Sequence, residues 1–221
     1  MVERVLNESL DAQKNFIFDL DGTIIDSRRS IQRALVYVFN EAGIANKDLI
    51  EDIKIGPPLD QIIKNVCPES SSNSIRQVKD LFVKTYDEMY CTDCSLYEDA
   101  GEVLHQLSEK RDLHLVTNKR SKPTEKILEH FGISHLFSSV TACDSQGGTF
   151  IPKSESLNHM IKCLRIDRRN CYYLGDTEGD ATACLESGID FLFAAWGYGG
   201  DEINSRELRR TLRSWKDMLA I

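Results

Sequence analysis

Residues Asn15 to Ser27 read NFIFDLDGTIIDS. A short apolar run, Phe16-Ile17-Phe18, ends on Asp19, passes Leu20, sets down Asp21 and turns at Gly22. The run reads as a buried strand, and if its direction persisted the two aspartates would share one face and repel each other. Such a pair needs a cation, a proton or a reaction to justify it.

Outward from this stretch the pattern is first helical. Ile31, Ala34, Leu35, Val38, Phe39 and Ala42 recur at three and four residues, Asp26 or Ser27 is available as the cap, and Gly43 is placed to end the helix. PPLDQIIKNV opens on prolines, which a first helical turn tolerates, and Ile75, Val78, Phe82, Tyr86 and Met89 mark a longer amphipathic helix. PESSSNS, Pro68 to Ser74, reads as a loop between them, and no strand is predicted from Arg28 to Tyr90. The rest alternates: a helix around Val103, Leu104 and Leu107, the strand LHLVTN, a helix around Ile127, Leu128 and Phe131, and a strand near SSVTACD. A helix from Leu157 to Leu164, the strand CYYLGD, a helix ended by Gly188 and the strand DFLFAAW follow. Strands alternating with helices imply crossovers and a parallel sheet covered on both faces, to which NFIF belongs. The expected layout is an α/β core of residues 1–25 and 92–221, interrupted by a helical domain over 26–91.

Composition limits the function. The chain has 221 residues, 41% hydrophobic and 28% charged, enough to bury a substantial core. A formal net charge of -8 argues against a nucleic-acid surface, because phosphate backbones are held by concentrated Lys and Arg. No run approaches the roughly 18 to 20 apolar residues of a membrane span, and the start lacks the order of a signal peptide, so the expectation is a cytoplasmic protein without nucleic-acid or membrane partners. Seven cysteines, an odd number, suggest reduced thiols. Cys91 and Cys94 form a C-x-x-C, but no second pair with zinc spacing accompanies them, and two free thiols are expected.

In open α/β sheets the site lies outside the carboxyl ends of the strands, and the ends here carry complementary polar groups. Asp19, Asp21, Asp176 and Asp180 supply hard oxygen ligands of the kind that suits Mg²⁺. Thr117 and Asn118 offer donors and Lys153 a cation, the set an anionic phosphoryl group requires. Singly, a D-x-D is most often a turn, a Thr-Asn a cap and such a lysine a solvated side chain. Jointly, in this order and topology, they are specific. One aspartate is expected to attack and bind metal, and the other to handle protons. Gly22 suits a turn that needs unusual dihedrals or close backbone approach.

These motifs, FDLDGTIIDS, VTNK, Lys153 and YLGDTEGD, resemble the four motifs of the haloacid dehalogenase superfamily in its phosphatase form, over nearly the whole chain. IGPPLDQII and WGYG extend the resemblance to its phosphoglycolate phosphatase and pyrophosphatase branch. The resemblance implies a Rossmann-like parallel sheet core with helices on both faces and an inserted all-helical cap. It also implies that Asp19 is the nucleophile, forming an aspartyl-phosphate, and Asp21 the general acid and then base. Mg²⁺ would be bound by the Asp19 side chain, the Asp21 backbone carbonyl and Asp176, with Asp180 acting through a metal-bound water; Thr117, Asn118 and Lys153 would hold the phosphate. The family's lysine is commonly followed by proline, whereas here Pro152 precedes Lys153 and Ser154 follows it, which leaves Lys119 and Lys122 as stand-ins.

An aspartate at position 21 favours phosphate chemistry over dehalogenation. Mutases of this kind tend to carry a cap-side histidine where this chain has Ile31, and a silent scaffold would be expected to have lost one of Asp19, Asp21, Lys153 or Asp176. The expected partner is a small phosphorylated metabolite, with 2-phosphoglycolate or pyrophosphate leading, and Lys54 to Gln61, KIGPPLDQ, is the segment expected to reach the site.

Overall fold

The computed structural model describes residues 15–44, 59–69, 71–145, 147–199 and 210–221. Its strands are β1 (Asn15–Phe18), β2 (Ile25–Asp26), β3 (Ser95–Leu96), β4 (Asp112–Val116), β5 (Ser139–Thr141), β6 (Cys171–Gly175), β7 (Asp190–Ala194) and β8 (Arg210–Leu212). All but β2 and β3 form one parallel sheet in the order β5-β4-β1-β6-β7-β8, so the chain's first described strand is central. Phe18 pairs with Leu115 on one side and Leu174 on the other, which brings the carboxyl ends of β1, β4 and β6 level. The motifs that follow those strands therefore meet.

Helices α1 (Arg28–Glu41), α2 (Leu59–Val66) and α3 (Ser72–Thr85) come before β3, and α4 (Ala100–Ser108), α5 (Ser121–His130), α6 (Lys153–Leu164) and α7 (Glu178–Ser187) between or beside the sheet strands. Alternation along β1 splits the core in two. Phe16 and Phe18 pack with Leu104 of α4, Ile127 of α5 and Trp215, while Ile17 packs with Leu157 of α6, Ala181 of α7 and Phe191. Helices thus cover both faces, as a parallel sheet requires. Phe18 is fully buried, and truncating such a side chain costs about 3–5 kcal/mol.

A third apolar cluster joins Leu35, Val38 and Phe39 of α1 to Ile62 and Ile63 of α2 and Ile75 and Val78 of α3. No strand occurs among the described residues between Arg28 and Tyr90, and Gly43, at φ 68°, ends α1 by donating to Asn40 O at 3.1 Å. Of the segment Lys54 to Gln61, the first five residues lie outside the described ones, and Leu59 opens α2.

Several local readings change. Ser71, placed in a loop by composition, caps α3, its hydroxyl accepting from Ser74 N–H at 3.1 Å. After Thr85 the helix widens into a π turn over Tyr86–Tyr90, which shifts the apolar stripe: Met89 is 58% exposed, whereas Tyr86 and Asp87 are buried. Ala42 is exposed past the end of α1. The edge strand β5 is shorter than SSVTACD and leaves Val140 exposed. The paired two-residue strands β2 and β3, the edge strand β8 and the 3₁₀ helix Trp215–Ala220 carry no sequence signal strong enough to be read in advance. Cys91 and Cys94 are free thiols that donate to the carbonyls of Asp87 and Cys91, and burial pushes Cys94 up to about 12. No described helix is long and apolar enough to cross a membrane.

Candidate active site

β1 ends at Phe18, and the strand direction does not persist to Asp21. Thr23, Ile24 and Ile25 N–H all turn back to Leu20 O, and Gly22 N–H donates to Ile25 O at 2.9 Å. The tight turn separates the environments of the two aspartates, and each has its own lysine. Lys153 Nζ lies 3.1 Å from Asp19 Oδ1, while Lys119 Nζ lies 3.0 Å from Asp21 Oδ2. That is how the chain tolerates two acids at the mouth of a buried strand.

Lys153 begins α6 directly after Pro152, and its ammonium also pairs with Asp180 Oδ1. Asp180 is fixed from the other side. Its Oδ2 accepts from Asp176 N–H at 3.2 Å, Thr177 N–H at 3.0 Å and Thr177 Oγ1 at 2.7 Å, and Thr177 completes a capping box at the start of α7. Asp176, fully buried, accepts from Thr23 Oγ1 at 3.3 Å and from Tyr198 N–H at 2.6 Å. Asp19 Oδ1 is buried and takes no aligned hydrogen bond, although Lys153 is within ion-pair distance of it.

The backbone is shaped around Asp176. Gly22, at φ +79°, leaves no room for a side chain, because a Cβ there would lie 2.2 Å from Asp176 Oδ2. Gly197 is equally constrained, with its Cβ position 2.2 Å from Asp176 Cβ. The glycines of WGYG thus let the loop after β7 close over the acid.

Burial, reinforced by the charges of Asp180 and Asp21 and only partly relieved by Lys153, pushes the Asp19 carboxyl up to about 6. Burial beside Asp19 and Asp180 pushes Asp176 up to about 8. Asp180 goes the other way: against its burial, Lys153 and the Thr177 donors hold it below the usual carboxylate range. Burial opposes the charge on both lysines, but their acid partners outweigh it and raise Lys119 and Lys153 above the ordinary lysine value.

Asp19, Asp176 and Asp180 each bring one carboxylate oxygen within 4.8 Å of the other two. Three buried acids this close, with an oxygen of Asp19 lacking an aligned donor, form a hard, oxygen-only donor set that fits Mg²⁺. Above them a cleft of about 340 Å³ is lined by Asp19, Asp21, Thr117, Asn118, Lys119 and Lys153 on the sheet side. Thr117 is buried and its hydroxyl accepts from Lys119 N–H at 3.2 Å, while Asn118 is exposed. Lys122 is exposed on α5 and does not line the cleft.

A family model described as haloacid dehalogenase-like hydrolase matches residues 16–194, which include every one of these side chains except Tyr198. The chain belongs to the haloacid dehalogenase-like hydrolases. Among curated relatives, tyrosine-protein kinase PtkA of Mycobacterium tuberculosis is 30% identical over 83% of this chain and 62% of its own. The chain therefore spans less than two thirds of that relative. Phosphoglycolate phosphatase of Haemophilus influenzae is 27% identical over 82% of this chain and 85% of its own. A haloacid dehalogenase-like family hydrolase from Streptococcus pneumoniae superposes with a TM-score of 0.83 at 22% identity, over 95% of this chain and 98% of its own, a likeness of fold.

In this member of the family several site neighbours carry no local sequence signal. Ser27 does not cap α1: its hydroxyl donates to Asp21 Oδ1 at 2.5 Å, and Asp26 takes up Arg28 N–H at 3.1 Å instead. Tyr198 OH accepts from Ser27 N–H at 2.7 Å and lies 3.0 Å from Ser27 Oγ. Nothing local predicts a contact between residues 171 apart. The Thr177 capping box was legible as T-x-x-D before a helix.

Proposed function

We propose that the protein is a Mg²⁺-dependent phosphatase that hydrolyses small phosphate monoesters through an aspartyl-phosphate on Asp19. The observation that carries this reading is the buried Asp19 oxygen, with no aligned hydrogen bond, at the floor of the cleft and 3.1 Å from Lys153. A carboxylate held with a free oxygen beside a cation is poised to attack, whereas one satisfied by backbone donors is not.

Asp19, Asp176 and the Asp21 carbonyl would hold Mg²⁺, with Asp180 acting through a water, and the ion would supply charge that offsets repulsion between the nucleophile and a phosphate dianion. Asp19 forms a bond to phosphorus as the ester P–O bond breaks, and Asp21 passes its proton to the leaving oxygen. A water oxygen then attacks phosphorus, Asp21 takes that water's proton, and the bond to Asp19 breaks to release phosphate. Both residues return to their starting states. Lys153, Thr117 and Asn118 carry the phosphoryl oxygens. Lys119 and Ser27 orient the Asp21 carboxyl, a group that must be protonated in one step and ionised in the next. Residues 26–91 act as a cap, since Ile31, Leu59, Ile62, Phe82 and Tyr86 line the other side of the same cleft. Ile31 lines the cleft, and mutases of this superfamily tend to carry a cap-side histidine at that point of the sequence, which supports hydrolysis over a mutase reaction.

The resemblance to relatives named as kinases makes transfer to an acceptor other than water the second reading. Release of inorganic phosphate from monoesters with Mg²⁺, in water without added acceptor, separates the two. The expected result is turnover that disappears in Asp19→Asn; persistence of turnover in that variant removes Asp19 as nucleophile, and no release without an acceptor favours transfer.

A further inference from the structure

The cleft has two unlike walls. Its sheet side carries the acids, the phosphate donors and three cations, Lys119, Arg120 and Lys153. The described residues of its opposite side are apolar: Ile31 from α1, Leu59 and Ile62 from α2, and Phe82 from α3, whose ring stacks on Tyr86 at 5.5 Å and 15°. A substrate with its phosphoryl group on Asp19 places its leaving group against this second wall.

Among the described residues, each cation lining the cleft is already engaged by an acid of this chain. Lys153 is held by Asp19 and Asp180, next to the phosphoryl position. Lys119 sits 3.0 Å from Asp21 Oδ2 and donates to Tyr86 OH at 2.8 Å. Arg120 is held through two nitrogens by Asp87, one at 2.8 Å, and Asp87 is buried in the π turn. A substrate carboxylate that drew Arg120 away would strand a buried charge, and one that drew Lys119 away would leave the proton-transfer acid without its partner. Both exchanges are unfavourable. An uncharged ring or alkyl group meets no such penalty and removes apolar surface from water on both sides.

We infer that the preferred substrate is a phosphate monoester whose leaving group is uncharged and apolar, of the size of a single aromatic ring, rather than one bearing a second acid group such as 2-phosphoglycolate. This specificity rests on the phosphatase reading for its meaning but not for its test, because the cleft binds or rejects a ligand whether or not turnover follows.

The matched probes are benzylphosphonate and phosphonoacetate, which present a phenyl ring or a carboxylate on the same methylene-phosphonate. Titration calorimetry of the whole protein with Mg²⁺ is expected to show benzylphosphonate binding at least about tenfold more tightly, the scale of burying part of one ring. Ile31→Lys, which adds a cation without an acid partner to the apolar wall, is expected to narrow or reverse that ratio. Phosphonoacetate binding as tightly as benzylphosphonate to the unmodified protein, or binding of neither, overturns the inference. If the phosphonates bind in the expected order and no monoester is hydrolysed, the specificity stands and the phosphatase reading falls.

Discussion

The sheet half of the molecule and the helical block over 28–90 are built on opposite terms. At the carboxyl ends of β1 and β6 nearly every buried polar group is tied to something: Asp180 Oδ2 accepts three donors while its Oδ1 pairs with Lys153, and Asp176 is clasped by Thr23 and the Tyr198 amide. The helical block presents an apolar wall and meets the sheet half through Ala34 and Tyr86, which join the core cluster of Phe16 and Phe18, and through Tyr86 on Lys119, Asp87 on Arg120 and the Asp87 carbonyl on Lys126. One half fixes charges at close range, and the other shapes space. The difference teaches where each kind of substitution acts: reaction steps should respond to the first half, and substrate preference to the second.

Replacing Asp21 should break the comparison first if it is wrong. General acid-base assistance is worth typically 10²- to 10⁴-fold, so Asp21→Asn is expected to lower kcat for alkyl phosphates by that range. With p-nitrophenyl phosphate, whose leaving group departs as a stable anion, only the second step suffers. Rapid mixing should show a burst of about one p-nitrophenolate per site, with phosphate trapped on Asp19. Absence of both in a folded variant removes Asp21 as the base. Phe82→Ala, on the opposite wall, is expected to change KM for apolar esters without producing that burst.

Asp180→Ala probes the sheet half for stability. It leaves Lys153 buried with one partner fewer and strips the acceptor from Thr177 and Asp176 N–H, a loss of about 3–5 kcal/mol by the standard of broken buried pairs. Urea unfolding reads it directly. Asp176→Ala should instead weaken Mg²⁺ binding more than Asp180→Ala does, measured by calorimetry, and equal effects would contradict direct and water-mediated roles.

The raised carboxyls give a pH signature. Asp176 and Asp19 are held near about 8 and about 6, above their unfolded value near 4, so the metal-free folded protein retains protons that the unfolded chain has lost. Its stability therefore falls as pH rises from about 4 through about 8. Mg²⁺ competes with those protons and relieves the repulsion left by their loss. The gain in thermal midpoint on adding Mg²⁺ should be larger at about pH 8.5 than at about pH 6, and an equal gain would detach these acids from the metal.

The smallest effect is expected at the contact between the halves. Asp87→Ala frees Arg120, which is partly exposed and can turn to water, so the cost is about 1–3 kcal/mol. Faster hydrogen exchange in α3 with α6 and α7 unchanged would confirm that the block is held locally. A uniform rise across the sheet would show that the halves unfold together.

Local sequence carried most of the sheet half, because a strand buried on both faces is a run of apolar residues and its carboxyl end is where the polar residues begin. FDLDG, VTN and LGDTEGD could be placed beside one another from topology alone, whereas the helix expected from Leu157 begins four residues earlier, at Lys153. The helical periodicity of Ile31 to Phe39 and of Ile75 to Phe82 gave the apolar faces that form the third cluster. Tertiary structure alone decided the partners. Asp19 and Asp21 each found a lysine more than 90 residues away, Ser27 turned from a helix cap into a donor to Asp21, and Tyr198 reached back to both Ser27 and Asp176. Met89, periodic in sequence, was turned outward by a π turn that put Asp87 against Arg120. The physical reason is one of range: apolar patterning answers to burial, which every residue of an element shares, whereas a charge answers to the particular group set beside it once the chain has closed.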